Sequence, residues 1–340
     1  MGAQDPSREQ FGTPRRVLVT GGAGFIGSHL IDALLELGDD ITVIDNLSTG
    51  QIQNLARCKD RIRFIESSVS QALPTLHGEQ FDEIYHLAAA VGVELVLTDP
   101  VGSIHTNVNE TYEVLRFARD NGNARVLIAS SSEVYGKPGT SVFSETDDLL
   151  LGSTETTRWS YAHAKALDEH LAIGFTSQFG LDTVCCRFFN TVGPRQVGRY
   201  GMVLPRFVQA AHSGAPLKVF GDGTQTRCFC DGRDVASALP QLMRSPSREH
   251  RVYNIGSDRP ISIRDLAELV ITTLGSRSTL ELVPYDLAYP VGFEDLRHRK
   301  PDLDRIRGAI GFTPKYTLNQ TIQDLHSEMT ESSSTQGSVS

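Results

Sequence analysis

Residues 16–27 read Arg16-Val17-Leu18-Val19-Thr20-Gly21-Gly22-Ala23-Gly24-Phe25-Ile26-Gly27, and an apolar helical pattern continues to Leu37. A β-branched strand therefore runs straight into a glycine-rich turn and out into a helix. In such a turn Gly21 permits the tight reversal, Gly24 lets a pyrophosphate approach the backbone, and Gly27 lets the helix press on the strand. The helix start offers unpaired N–H groups and a partial positive charge to the phosphates. A second strand, Ile41–Asp45, ends in a carboxylate about 20 residues after the last glycine, the spacing of a ribose-binding acid. That acid accepts from a ribose diol and repels a 2′-phosphate, so the pattern points to NAD and not to NADP.

Working outward, further β-branched runs occur at Arg61–Glu66, Glu83–Leu87, Arg125–Ser130 and Thr183–Phe188. Helical patterns at Phe25–Leu37, Val101–Asp120 and Ser160–Phe179 separate them. Strands alternating with helices imply βαβ units and a parallel sheet. The expected class is α/β, a doubly wound Rossmann sheet with a smaller C-terminal α/β substrate domain. After about residue 190 the rhythm breaks into Gly, Pro and shorter strands. The reading is a disordered start (1–13), an NAD-binding domain (14–189), a substrate domain (190–328) and a disordered polar tail (329–340). Part of the second domain, about residues 230–256, is expected to return to the first sheet.

Composition narrows the partners. The 340 residues carry 41 acidic and 32 basic side chains, a net charge of −9, which disfavours nucleic acid and anionic membranes. Cys58, Cys185, Cys186, Cys228 and Cys230 form no C-x-x-C motif and read as buried thiols in a reducing compartment. No apolar run spans a bilayer, and the polar start is no signal peptide, so a cytoplasmic location is expected. His163 and His170 have no partner completing a metal site in helical register, so no metal is expected.

Tyr161 and Lys165 lie four apart on one helical face, and no other tyrosine has a lysine at that spacing. The strand before them ends in Ser130-Ser131-Ser132, at the sheet edge where open α/β folds bind ligands. A phenol serves as a base near neutral pH when a nearby ammonium stabilises its phenolate. With Ser131 on the reacting hydroxyl, Tyr161 and Lys165 point to hydride chemistry at a secondary alcohol.

These residues resemble the extended short-chain dehydrogenase/reductases, in particular the nucleotide-sugar epimerases and dehydratases. The resemblance covers about residues 15–325 and rests on Thr20–Gly27, Asp45–Gly50, Leu87-Ala88-Ala89, Ser131–Gly136, Tyr161–Lys165, Arg187–Asn190 with Gly193-Pro194-Arg195, and Arg297–Asp302. It implies a retained NAD held by Gly21, Gly24, Phe25, Ile26, Gly27, Asp45, Asn46, Ser48, Thr49, Gly50, Ser68, Val69, Leu87, Ala88, Ala89, Asn107, Tyr161, Lys165 and Phe188. Ser68 departs from the usual Asp that reads the adenine amino group. For a UDP-sugar the resemblance implies Ser130, Ser131, Ser132, Glu133, Tyr161, Asn190, Met202, Val203, Lys218, Phe220, Arg227 and Arg299, the two arginines clamping the diphosphate. It also implies a homodimer through the helices around Val101–Asp120 and Ser160–Phe179.

The reaction is less specified. Sugar 4,6-dehydratases carry Asp at the position of Ser132, which argues against dehydration. The run is most similar to actinobacterial UDP-sugar 4-epimerases, the UDP-glucuronate 4-epimerases of moenomycin-type antibiotic biosynthesis above all. The expectation is thus an isomerase converting UDP-glucuronate to UDP-galacturonate through a 4-keto intermediate. Two alternatives stay open: UDP-glucuronate decarboxylation, since Glu133 and Arg299 match residues of those enzymes and Arg158-Trp159-Ser160-Tyr161 resembles a bacterial one, and UDP-glucose 4-epimerisation. A non-catalytic NAD-binding scaffold is the alternative of another class.

Overall fold

Val17, Leu18 and Val19 have no solvent exposure, so the strand before the glycine turn is covered on both faces, as its unbroken apolar run requires. The computed structural model describes residues 13–91, 98–196, 202–284 and 297–336, the last five by backbone alone. The expected disorder of residues 1–12 and 337–340 lies outside the described residues.

The first half runs β1 (Arg16–Thr20), α1 (Phe25–Glu36), β2 (Asp40–Asp45), β3 (Ile62–Glu66), α2 (Val69–Ala72), β4 (Glu83–His86), α3 (Pro100–Asp120), β5 (Arg125–Ser131), β6 (Val142–Phe143), α4 (Trp159–Phe179) and β7 (Thr183–Phe188). The second runs β8 (Thr191–Val192), α5 (Val203–Ser213), β9 (Leu217–Phe220), β10 (Thr226–Cys228), β11 (Cys230–Asp231), α6 (Gly232–Arg244), β12 (Val252–Ile255), β13 (Pro260–Ser262), α7 (Ile263–Leu274), β14 (Leu280–Val283), β15 (His298–Pro301), α8 (Asp304–Ile310) and α9 (Leu318–Gln336).

Seven strands form one parallel sheet in the order β12-β7-β5-β4-β1-β2-β3. Chain order reverses between β1 and β4, which opens a crevice above their carboxyl ends. Val17 and Val19 face a core shared with Leu30 and Leu34 of α1, Leu239 of α6 and Ile306 of α8. Leu18 faces the opposite core, with Val114 of α3 and Phe175 of α4. The sheet is therefore the middle of three layers. A smaller core gathers Leu204 and Phe207 of α5, Val219 of β9, Leu266 of α7 and Ile322 and Leu325 of α9. A four-stranded sheet, β13-β10-β15-β6, lies in the same half of the chain apart from β6.

One expectation changes. The polar composition from residue 329 predicts a disordered tail, yet α9 continues to Gln336. Ile322 and Leu325 anchor that helix, and extending a formed helix by polar residues costs far less than starting one.

Directly beneath the crevice, Glu169 of α4 accepts from Arg187 Nε at 2.9 Å and Nη2 at 2.7 Å, and from the Ser130 hydroxyl at 2.5 Å. All three residues are buried, so this lock fixes α4 to β5 and β7. Replacing Arg187 with Met would strand a buried carboxylate. The expected loss is about 3–5 kcal/mol, read as a lower urea midpoint at unchanged slope.

Candidate active site

The glycine turn is crowded to the limit of backbone contact. A Cβ at Gly21, whose φ is +73°, would meet Ala88 N at 2.6 Å, and one at Gly27 would meet Gly21 O at 2.1 Å. Gly24 caps α1 without a side-chain bond, and the first turn of α1 carries no acid. That helix start is thus open to an anion. Asp45 accepts from Ala23 N at 2.9 Å and Leu47 N at 2.8 Å. Burial pushes its carboxyl above the ordinary value, and the two amides pull it back. Phe25 and Ile26 belong to the first turn of α1, and Asn46, Ser48, Thr49 and Gly50 follow β2. The Phe25 ring turns away, edge-on to His29 and against Gly232. Ser68 sits before α2 with its hydroxyl not used as a cap, while Val69 N donates to Glu110 Oε1 of α3 at 3.3 Å. Leu87, Ala88 and Ala89 follow β4, and Asn107 holds that segment through both polar atoms of its amide, at 2.8 Å and 3.2 Å from Ala90. Asn107 thus buttresses the crevice wall. These residues line the carboxyl edge of β1, β2, β3 and β4, and the cradle fits a dinucleotide.

Ser131, Tyr161 and Lys165 converge beside it. The Ser131 hydroxyl interacts with the Tyr161 phenol and accepts from Glu133 N at 3.2 Å. Burial raises the phenol from its ordinary value, Lys165 opposes that, and Glu133 reinforces it. Phe188 lies opposite Ser131 in the β5–β7 register. Ser130 does not join the group. Successive strand residues point to opposite faces, and its hydroxyl is spent on Glu169 in the core. Of the three consecutive serines only Ser131 is tied to Tyr161, and Ser132 is buried in the turn that follows β5.

A cleft of about 830 Å³ opens next to this group. Its lining includes Glu133, Asn190, Met202, Val203, Lys218, Phe220, Arg227 and Arg299, residues drawn from distant parts of the chain. Arg227 on β10 stands directly opposite Arg299 on β15, and both are buried. Like charges facing across strands are destabilising without an anion between or beside them. One such anion is Glu133, which pairs with Arg299 and, at 3.5 Å, with Arg158. Burial works to raise the Glu133 carboxyl, but Arg299, Arg158 and Arg227 overcome it and hold it below the usual value. Asn190 has φ +23°, and its Nδ2 is buried with no hydrogen-bond partner among the described residues. A donor of that kind lining a cationic cleft suits a phosphate oxygen.

From the sequence Arg158 stands out only within a resemblance, and Asp168 does not stand out. Arg158 precedes Tyr161 by three residues, half a turn outside the helical pattern that drew attention. Its guanidinium lies 5.1 Å from the Trp159 ring centroid. Asp168 receives Lys165 Nζ at 3.0 Å in full burial. Its signal was available: Tyr161, Lys165 and Asp168 share one stripe of α4.

Comparison with known proteins agrees with this architecture. The NAD dependent epimerase/dehydratase family model matches residues 17–256, and the chain belongs to that family. A UDP-N-acetyl-alpha-D-glucosaminuronate decarboxylase of Bacillus cytotoxicus is 39% identical over 313 residues, 91% of this chain and 96% of that protein. UDP-glucuronic acid decarboxylase 1 of Arabidopsis thaliana is 34% identical over 316 residues, 92% of this chain and 69% of that protein. Among solved structures, a UDP-N-acetylglucosamine 4-epimerase of Methanobrevibacter ruminantium superposes with a TM-score of 0.84 at 28% identity, over 94% of this chain and all of that one. The family and its solved structures, among them a Thermus thermophilus epimerase with NAD, make NAD the cofactor. The isomerase expectation is corrected by these relatives. The Bacillus cytotoxicus and Arabidopsis thaliana relatives, and one from Danio rerio, are decarboxylases, which are lyases, and UDP-glucuronate 4-epimerases are not specifically indicated. Among the described residues, no helix is long and apolar enough to cross a membrane.

Replacing Gly27 with Ala places a methyl against Gly21 O. The expected outcome is purified protein with most of its NAD absorbance lost and a lower melting temperature, both measured against wild type.

Proposed function

We propose that this protein is an NAD-dependent UDP-hexuronate decarboxylase. One observation carries the reading: Glu133, beside Tyr161, is gripped by Arg299 and Arg158 at the sugar end of a cleft whose described charged lining is one acid against Arg158, Arg206, Lys218, Arg227 and Arg299. A UDP-hexose brings two negative charges on its diphosphate, and a uronate adds a third on C6. The surplus of cations suits the uronate, and guanidinium groups bind carboxylates and phosphates in the same two-pronged way. The resemblance of Glu133, Arg299 and Arg158–Tyr161 to decarboxylase residues points the same way.

The residues then divide the work. NAD, when bound, supplies the acceptor and donor of the C4 hydride. Tyr161 takes the proton of the C4 hydroxyl, with Lys165 stabilising its phenolate and Ser131 holding the same oxygen. The resulting 4-ketone stands β to the C6 carboxylate, so the C5–C6 bond breaks and its electron pair spreads onto the C4 oxygen, where Ser131 and the protonated Tyr161 meet it. Arg158 and Arg299 hold the carboxylate until carbon dioxide leaves. A proton from solvent replaces it at C5, and Tyr161 returns its own proton as C4 is reduced. The net change is one proton consumed and one carbon dioxide released, with no net oxidation.

Arg227 and Asn190 are assigned to the diphosphate, and Met202, Val203, Lys218 and Phe220 to the nucleoside. The exposed apolar side chains Val101, Ile104 and Tyr112 on α3 and Leu167, Ile173 and Phe179 on α4 form the proposed homodimer face. Replacing Ile173 with Arg is expected to halve the sedimenting mass.

The test is incubation of the NAD-loaded protein with UDP-glucuronate and, separately, UDP-N-acetylglucosaminuronate in heavy water, followed by NMR. The expected product is the corresponding UDP-pentose carrying one deuteron at C5, with carbon dioxide evolved. A UDP-hexuronate inverted at C4 as the main product would overturn the reading. Tyr161→Phe is expected to lower turnover by at least about a hundredfold with NAD still bound.

A further inference from the structure

The catalytic lysine carries a partner that the proposed reaction does not use. Lys165 Nζ donates to Asp168 Oδ2 at 3.0 Å, and the two side chains are 2% and 0% exposed. Asp168 Oδ1 is buried too, with no partner in strict hydrogen-bond geometry among the described residues. Thr111 of α3 faces the same carboxyl. Behind it, His86 Nε2 lies 3.2 Å from Thr111 Oγ1, and His86 Nδ1 lies 2.7 Å from Thr20 Oγ1. Thr20 immediately precedes the glycine turn and accepts from Ala88 N at 3.3 Å. A continuous polar strut therefore runs from the dinucleotide turn to the ammonium beside Tyr161.

We propose that Asp168 is a positioning residue: it anchors the Lys165 ammonium at the end of this strut, and its charge sets the pH at which Tyr161 gives up its proton. The proposal rests on Tyr161 being the base of the reaction proposed above. Lys165 sits on one stripe of α4 between Tyr161, one turn earlier, and Asp168, almost one turn later. The ammonium favours the phenolate, and the carboxylate of Asp168 cancels part of that effect.

The other groups facing the pair do not replace it. Glu169, on the same helix, is bound to Arg187. His86 of β4 is pushed down to about 3 by burial and by Lys165, so it is neutral. Burial pushes the Cys185 thiol of β7 well above its ordinary value, so it is neutral as well. Glu133 faces Tyr161 from the end of β5 but is paired with Arg299 and Arg158. Asp168 is left as the carboxylate that bonds the lysine.

Asp168→Asn keeps the shape and removes the charge. Without that charge the phenolate is favoured, so the Tyr161 titration moves to lower pH, by about one pH unit. The titration is read as ultraviolet phenolate absorbance of the NAD-loaded protein, each variant minus its Tyr161→Phe counterpart, and needs no substrate. Asp168→Ser removes the same charge with a smaller side chain and serves if Asn does not fold. Asp168→Glu keeps the charge and is expected to leave the midpoint near wild type. In turnover of UDP-glucuronate the acidic limb of the pH profile should move with the absorbance midpoint. An unmoved midpoint in both neutral variants overturns the proposal, as does an equal loss of turnover and melting temperature at every pH with the limbs in place. A shifted midpoint in a protein that does not decarboxylate UDP-hexuronates upholds the role of Asp168 and overturns the reaction instead.

Discussion

The close backbone approach at the glycine turn is the constraint from which the site follows. Gly27 lets α1 press onto the turn with its carbonyl at Gly21, a distance at which any Cβ would collide. That contact aims the open start of α1 along the carboxyl edge of β1, beside the point where strand order reverses. Asp45, the segment after β4, Ser131 and the start of α4 all reach the same edge because parallel strands end on one side of a sheet. Hydride chemistry needs its donor and acceptor held in a fixed geometry, and a turn with no spare volume supplies that rigidity.

Charge placement is the second theme, and it runs against stability. Arg227 and Arg299 face each other in burial, and Asp168 keeps an orphaned oxygen in the core. Glu169 with Arg187 shows the contrasting case, a buried pair joined by two parallel hydrogen bonds, which with Ser130 holds two strands and a helix together. The net charge of −9 is uninformative here, since a handful of placed guanidinium groups outweighs it inside the cleft.

Much of the fold was legible beforehand. The strand at residues 183–188 matches the expectation residue for residue, and Ile41–Asp45, Arg125–Ser130 and the helix Ser160–Phe179 each gain one residue at an end. Buried parallel strands are long apolar runs bounded by polar turns, and such runs survive without any knowledge of their neighbours. The α9 helix was missed because its last turns are polar and its stability comes from Ile322 and Leu325 further back. Ser130 was misplaced because three serines in a row look alike, while a strand sends alternate residues to opposite faces.

The sequence by itself determined the sheet class, the dinucleotide turn, the NAD preference and the pairing of Tyr161 with Lys165 on one helical face, because each depends on a local pattern along the chain. Only the tertiary structure decided which charges meet. Glu133 finds Arg299 and Arg158, Arg227 finds Arg299 across a strand pair, and Lys165 is tied through Asp168 and Thr111 toward His86 and Thr20. Several of these partners lie tens to more than a hundred residues apart. Electrostatic interactions depend on distance and burial in space, and neither is written in the order of residues along the chain.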